Sequence, residues 1–262
     1  MRPAAVAGQF YPVSGAELEH QLDSMLHPES EISVLGAVVP HAGYIYSGHV
    51  AAAVYSCLPK PETFVIIGPN HHGIGSPVAL SRDSWNTPLG TVETDGEMAD
   101  ALAGSIIDHD ETAHIYEHSI EVQIPFIQRR FSGIKILPIC MGLQDEETAI
   151  EVGRAISRAA QKLARRCIVI ASSDFTHYEP QERARSVDAK LLEAVLNMDV
   201  PELYSRVRRY DATACGYGPI AATITAAAAL GAKAGRLLAY ATSGDVSGDY
   251  HQVVGYGAVI FS

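Results

Sequence analysis

The chain has 262 residues, 47% of them hydrophobic, which is enough to bury the core of one large α/β domain. Its net charge of −11 comes without any Lys/Arg block, since Arg129-Arg130, Arg165-Arg166 and Arg208-Arg209 are only pairs; this argues against nucleic acid or an anionic membrane as a partner. No apolar run reaches the ~20 residues of a membrane span, no signal-peptide core follows Met1, and the four cysteines lack paired spacing; a reduced, cytoplasmic setting is expected.

In chain order, Ala7–Pro12 reads as an irregular surface segment. Ser14-Gly15-Ala16-Glu17 is a capping box, with Leu18, Leu22 and Leu26 at helical spacing behind it. A strand over Val34–Val39 runs into the His41 loop, and Ser47 is the expected N-cap of an Ala-rich helix ending at Cys57. Thr63–Ile67 has the composition of a strand buried on both faces. Val78–Ser81 is a short strand, 85–90 a turn-rich loop, and Asp95 caps a helix to Leu102. Residues 105–116 form an acidic loop able to cover something, and Glu117–Phe131 carries a helical pattern with Pro125 as a kink. Strands at Ile136–Cys140 and Cys167–Ala171 flank a helix at Glu147–Ala164. Helices at Arg183–Leu196, Pro201–Val207 and Tyr217–Leu230 follow, then strands at Leu237–Tyr240 and Val253–Phe261. The alternation predicts a single three-layer α/β domain spanning 1–262, with a mixed, largely parallel central sheet.

Four groups of residues carry chemistry. His41 follows one apolar strand, and His71-His72 follow the next, at the strand ends where open α/β sheets place ligands. Imidazoles delivered there form half of a metal site, the alternative being hydrogen-bonded loop histidines. Neighbouring side chains on an extended segment point to opposite sides, so one of His71 and His72 faces the site and the other supports it from behind. Cys215 stands before a helix opening, where the dipole lowers a thiol pKa, whereas Cys57, Cys140 and Cys167 lie in apolar patterns as core residues. Asp174 and His177, again past a strand, read either as a proton-handling pair or, for Asp174, as a turn cap. His118 and Glu121 fall three apart on one predicted helix face, and Asp245 and Asp249 are turn formers.

Taken together, Pro40-His41-Ala42-Gly43-Tyr44, Gly68-Pro69-Asn70-His71-His72, Glu117-His118-Ser119-Ile120-Glu121, Ser172-Ser173-Asp174-Phe175-Thr176-His177 and Cys215-Gly216 resemble the Memo (mediator of cell motility) family, in particular its prokaryotic AmmeMemoRadiSam system protein B group. Arg2-Pro3 and Ala7–Pro12 fit as well. The resemblance implies a fold related to class III extradiol dioxygenases, and a metal held by His41, His71 and Cys215. It also implies a pocket lined by the catalytic candidates Asp174, His177 and His118. His72, Glu117 and Glu121 are expected behind the ligands, where Glu117, Glu121 or Asp174 could still supply a carboxylate. A divalent ion is expected, Fe(II) first, with copper and zinc as alternatives, because a His₂Cys set is softer than the His₂-carboxylate of the dioxygenases. The resulting expectation is a metal-dependent redox enzyme. A zinc-type hydrolase and a module binding a peptide or small ligand are the competing readings, and a link to a radical-SAM protein and an AMMECR-like protein follows from the resemblance alone.

Overall fold

The computed structural model describes residues 1–27 and 32–262. The strands among them are β1 (Gly36–Val39), β2 (Thr63–Pro69), β3 (Val78–Leu80), β4 (Trp85–Thr87), β5 (Gly90–Thr94), β6 (Asp108–His109), β7 (Lys135–Met141), β8 (Cys167–Ser172), β9 (His177–Glu179), β10 (Gly235–Thr242) and β11 (Val253–Phe261). The helices are α1 (Gly15–Met25), α2 (Tyr44–Cys57), α3 (Gly96–Ala101), α4 (Ile124–Arg130), α5 (Glu146–Lys162), α6 (Gln181–Leu196), α7 (Val200–Tyr210), α8 (Tyr217–Leu230) and the short α9 (Gly244–Ser247).

All eleven strands join one mixed sheet, whose main path runs β10-β11-β1-β8-β2-β7-β3-β6. Its centre is parallel: β1 and β2 both run alongside β8, and β7 runs alongside β2. β11 closes one flank antiparallel to β1 and β10, and β3 closes the other antiparallel to β7. The central strands are buried on both faces, as their β-branched runs require.

Alternation along the strands divides the core in two. Val38, Val65, Ile67 and Val169 pack under α5, α6, α7 and α8. Ala37, Val39, Ile66 and Ile168 pack under α1, α2 and α4. Helices α5 and α8 approach so closely that a Cβ on Gly153 would strike the Ala222 carbonyl, so this interior glycine is a packing requirement. No helix among the described residues is long and apolar enough to cross a membrane.

Several local expectations are corrected. Helix α2 begins three residues before Ser47, which instead donates to the Ala42 carbonyl, while Gly43 takes the cap position. The 85–90 stretch is not an unpaired loop but the turn of the β4–β5 hairpin. Glu117–Phe131 is not one helix: it begins as irregular chain, passes through a 3₁₀ turn at Glu121–Gln123, and becomes α4 only from Ile124, with Pro125 in the first turn, where its missing N–H costs nothing. The acidic 105–116 stretch lies along the sheet edge, where β6 pairs with β3 and Glu111 binds the Ser81 hydroxyl and the Arg82 amide. Asp245 sits inside the short helix α9, and its carboxylate accepts from the Thr242 amide.

Candidate metal centre

Because β1, β8 and β2 are parallel neighbours, their C-terminal ends lie side by side, with Val39 opposite Ser172 and Ile67 opposite Ala171. The segments leaving those ends carry His41, Asp174 with His177, and His71, so one edge of the sheet collects groups that are far apart in sequence. Cys215 joins them from the entrance to α8. A Cβ on Gly216 would lie 2.7 Å from the Ser172 carbonyl oxygen, so glycine lets the start of α8 press against the end of β8. These residues line a cavity of about 490 Å³ open to solvent, walled also by Phe10, His118, Thr213 and Val254. The 105–116 stretch contributes nothing to this wall.

One donor atom each from His41, His71 and Cys215 lie within 4.8 Å of one another. The Cys215 Sγ stands 3.2 Å from His41 Nε2. His41 Nδ1 is tied back to the Ser172 hydroxyl at 3.0 Å, and His71 Nδ1 to the Glu117 carboxylate at 2.9 Å. Both rings therefore turn Nε2 outward as donors, the arrangement in which a second hydrogen bond fixes the tautomer and direction of a ligand histidine. Burial holds His41 well below the ordinary histidine pKa, so its ring is the neutral form that ligation needs.

Glu117 is fully buried. Its Oε1 also accepts from the His118 and Ser119 amides, and its Oε2 from the His71 amide. Burial alone would raise its pKa, but these bonds, led by the one from the His71 ring, hold it well below the usual carboxylate range. The site thus contains a fixed anion directly behind His71.

Cys215 departs from the expectation for a cysteine at a helix start. Burial pushes its thiol pKa up, and the neighbouring Asp174 carboxylate adds to the rise. The helix dipole is outweighed, so without an adjacent cation this is a protonated thiol and a poor nucleophile. A coordinated cation would deprotonate it outright. The donor set therefore fits a metal better than it fits covalent catalysis.

His118 lies between the Phe10 ring, 4.7 Å away, and the His71 ring, 4.6 Å away and nearly parallel to it. Burial lowers its pKa to about 4, so it is neutral at physiological pH. Asp174 accepts from the His41 amide at 2.8 Å, and burial raises its pKa to about 6. His177 Nδ1 lies 2.9 Å from the Thr213 carbonyl, which can only accept, so the proton is on Nδ1 and Nε2 carries the lone pair. An acid of raised pKa and a free imidazole nitrogen thus share one wall of the cavity.

Two of the supporting residues expected from sequence sit elsewhere. Asn70 accepts from the His72 and Gly73 amides, and this turn directs His72 to solvent, away from the ligands. Glu121 is buried, but both its oxygens are taken by the N-terminal segment: Arg2 at 2.6 Å, Tyr11 at 2.6 Å and the Ala5 and Val6 amides. The helix face expected to join Glu121 to His118 does not exist, because 117–120 is not helical. Sequence reading also missed Phe10 as a wall of the cavity. Its signal was an aromatic pair, Phe10-Tyr11, in a segment with no helical or strand period.

Comparison with known proteins bears on the family and the fold. The sequence profile of the family described as Memo-like protein matches residues 2–260. The chain is 57% identical over 263 residues to a MEMO1 family protein of Methanococcoides burtonii, and 55% identical over 263 residues to one of Methanosarcina barkeri, each alignment covering 99% of both chains. Among solved structures it is similar in fold to an uncharacterized protein, JW3007, from Escherichia coli K12: the TM-score is 0.58 at 12% identity, covering 87% of this chain and 100% of that one.

Proposed function

Since the chain belongs to the Memo family, and its pocket gathers two imidazoles and a thiol, we propose that it is a metal-dependent redox enzyme in which His41, His71 and Cys215 hold one divalent ion, Fe(II) in preference to copper or zinc. The observation that carries this reading is the convergence of those three donors within 4.8 Å, with the Nδ1 atoms of His41 and His71 both tied back. Two imidazoles and a thiolate suit iron, copper and zinc, and three protein ligands leave positions open toward the cavity. When bound, such an ion supplies electron transfer to a small molecule at those open positions.

The remaining roles fall to the chain itself. Binding requires the Cys215 thiol to lose its proton, and the resulting thiolate offsets part of the cation's charge. His177, its Nδ1–H held by Thr213, accepts a proton at Nε2, while Asp174, with a pKa of about 6, exchanges one near neutrality. His118 and Phe10 form an aromatic wall that presents a flat face to a small substrate.

The test is elemental analysis of protein purified without oxygen, beside the His41→Ala and Cys215→Ser variants. The native protein is expected to carry close to one equivalent of iron or copper, the variants far less, and the loaded protein to consume O₂ with a reductant or an oxidisable small molecule. Metal content no higher than in the variants overturns the reading. Zinc alone, with no O₂ consumption, moves the site to the hydrolase alternative, with His177 as base to an activated water.

A further inference from the structure

A chain of buried hydrogen bonds runs from the core to the back of His41, and its members can be oriented in only one way. Tyr55 on α2 is fully buried and stacked on Phe126, with ring centroids 5.1 Å apart and planes 8° from parallel, so its hydroxyl is fixed. That hydroxyl donates to Gln123 Oε1 at 2.9 Å. The Gln123 amide nitrogen then donates both of its protons, to the Pro40 carbonyl at 2.9 Å and to Ser172 Oγ at 2.8 Å. Ser172 donates its single proton to the Ser119 carbonyl at 2.6 Å, the shortest of its contacts.

The bookkeeping of donors now closes. A carbonyl only accepts, and a hydroxyl has one proton and two lone pairs. The Ser172 proton is committed to Ser119 and one lone pair to Gln123, so only a lone pair remains to face His41 Nδ1 at 3.0 Å. His41 must place its own proton on Nδ1. Its Nε2 is left as a lone pair toward Cys215, 3.2 Å away. Gln123, Ser172 and His41 are all buried, so no water competes for these positions.

We propose that Ser172 and Gln123 are positioning residues that hold His41 in the Nδ1–H tautomer, keeping Nε2 open as a metal donor before any metal arrives, with Tyr55 locking the orientation of the Gln123 amide. The inference deepens the metal reading and rests on His41 being a ligand, but the tautomer is a property of the metal-free protein and is measured without metal. A neutral histidine in water carries its proton mostly on Nε2, the atom that must coordinate here. The chain thus removes a rearrangement that would otherwise precede binding.

Long-range ¹H–¹⁵N NMR of metal-free protein, with the His41 signals identified by their loss in His41→Gln, distinguishes the two tautomers. Wild type is expected to show the Nδ1–H pattern, Gln123→Leu a mixture as Ser172 becomes free to turn, and Ser172→Ala the Nε2–H pattern. Co(II) titration followed by the thiolate charge-transfer band should show a 10- to 100-fold loss of affinity in Ser172→Ala, with a smaller loss in Gln123→Leu. An Nε2–H pattern in wild type overturns the proposal, and so does a Ser172→Ala protein with the wild-type tautomer and affinity. If Ser172→Ala fails to fold, the wild-type spectrum and Gln123→Leu decide the matter. If wild type binds no Co(II) yet shows the Nδ1–H pattern, the metal reading falls and the tautomer assignment stands.

Discussion

Glu117 and His72 flank His71, one behind it in the fold and one after it in sequence, and they make opposite predictions. The Glu117 carboxylate meets only N–H groups: one oxygen takes the His71 ring with the His118 and Ser119 amides, and the other takes the His71 amide. In Glu117→Gln the new amide NH₂ must face one of those N–H groups, so a buried donor loses its partner and the His71 ring loses its hold. Metal affinity measured by competition titration should fall 10- to 100-fold in Glu117→Gln, and stay at the wild-type level in His72→Ala. Equal losses in the two variants would mean that the Asn70 turn does not separate His72 from the site. His41 and His71 were legible in the sequence because each follows an apolar run that stops at a strand's end, and Cys215 because it stands beside glycine at a helix start. Their supports were not, because the pairs are distant: Ser172 lies 49 residues from Gln123 and His71 lies 46 from Glu117, and no local period marks them.

Among the elements, the N-terminal segment is anchored by a buried ion pair. The Arg2 guanidinium donates to the His114 and Glu117 carbonyls and to the Glu121 carboxylate, each at 2.6 Å, and stacks 4.0 Å over Trp85. Removing one partner of a buried ion pair costs about 3–5 kcal/mol, because the other is left uncompensated. Arg2→Ala should therefore shift the urea midpoint sharply, and Arg2→Lys should recover little, since one ammonium cannot reach three acceptors fixed in a fork. An unchanged midpoint in Arg2→Ala would refute the anchor. The inner strands and α8 followed directly from composition and period, because burial on both faces leaves few ways to write such segments. The 117–131 stretch misled because its apolar residues keep a helical spacing, while the carboxylates of Glu117 and Glu121 bind backbone amides outside any helix. That is tertiary structure overriding a local pattern.

For the molecule as a whole, His114 is a buried contributor to acid sensitivity away from the pocket. His114 is fully buried against Trp85, with Nε2 on the Ala79 carbonyl and no hydrogen-bond partner at Nδ1, and burial lowers its pKa from 6.5 to about 4. Above pH 6.5 the ring is neutral in both the folded and unfolded chain. As pH falls from 6.5 toward 4, the unfolded chain takes up a proton that the fold refuses. Stability should therefore drop over that window by up to about 3 kcal/mol. Urea midpoints at pH 7 and pH 4.5 measure the drop, and His114→Gln should remove its share while the part due to the buried His41 and His118 remains; an identical slope in the variant would assign the sensitivity elsewhere. The sheet topology also sets a timetable. The pocket wall includes Phe10, His41, Cys215 and Val254, and β11, which carries Val254, must insert between β10 and β1 to complete it. A polypeptide that has already delivered His41 and His71 still has neither the thiol helix nor that strand, so the early histidines wait, unassembled, for the last element of the sheet before the pocket exists at all.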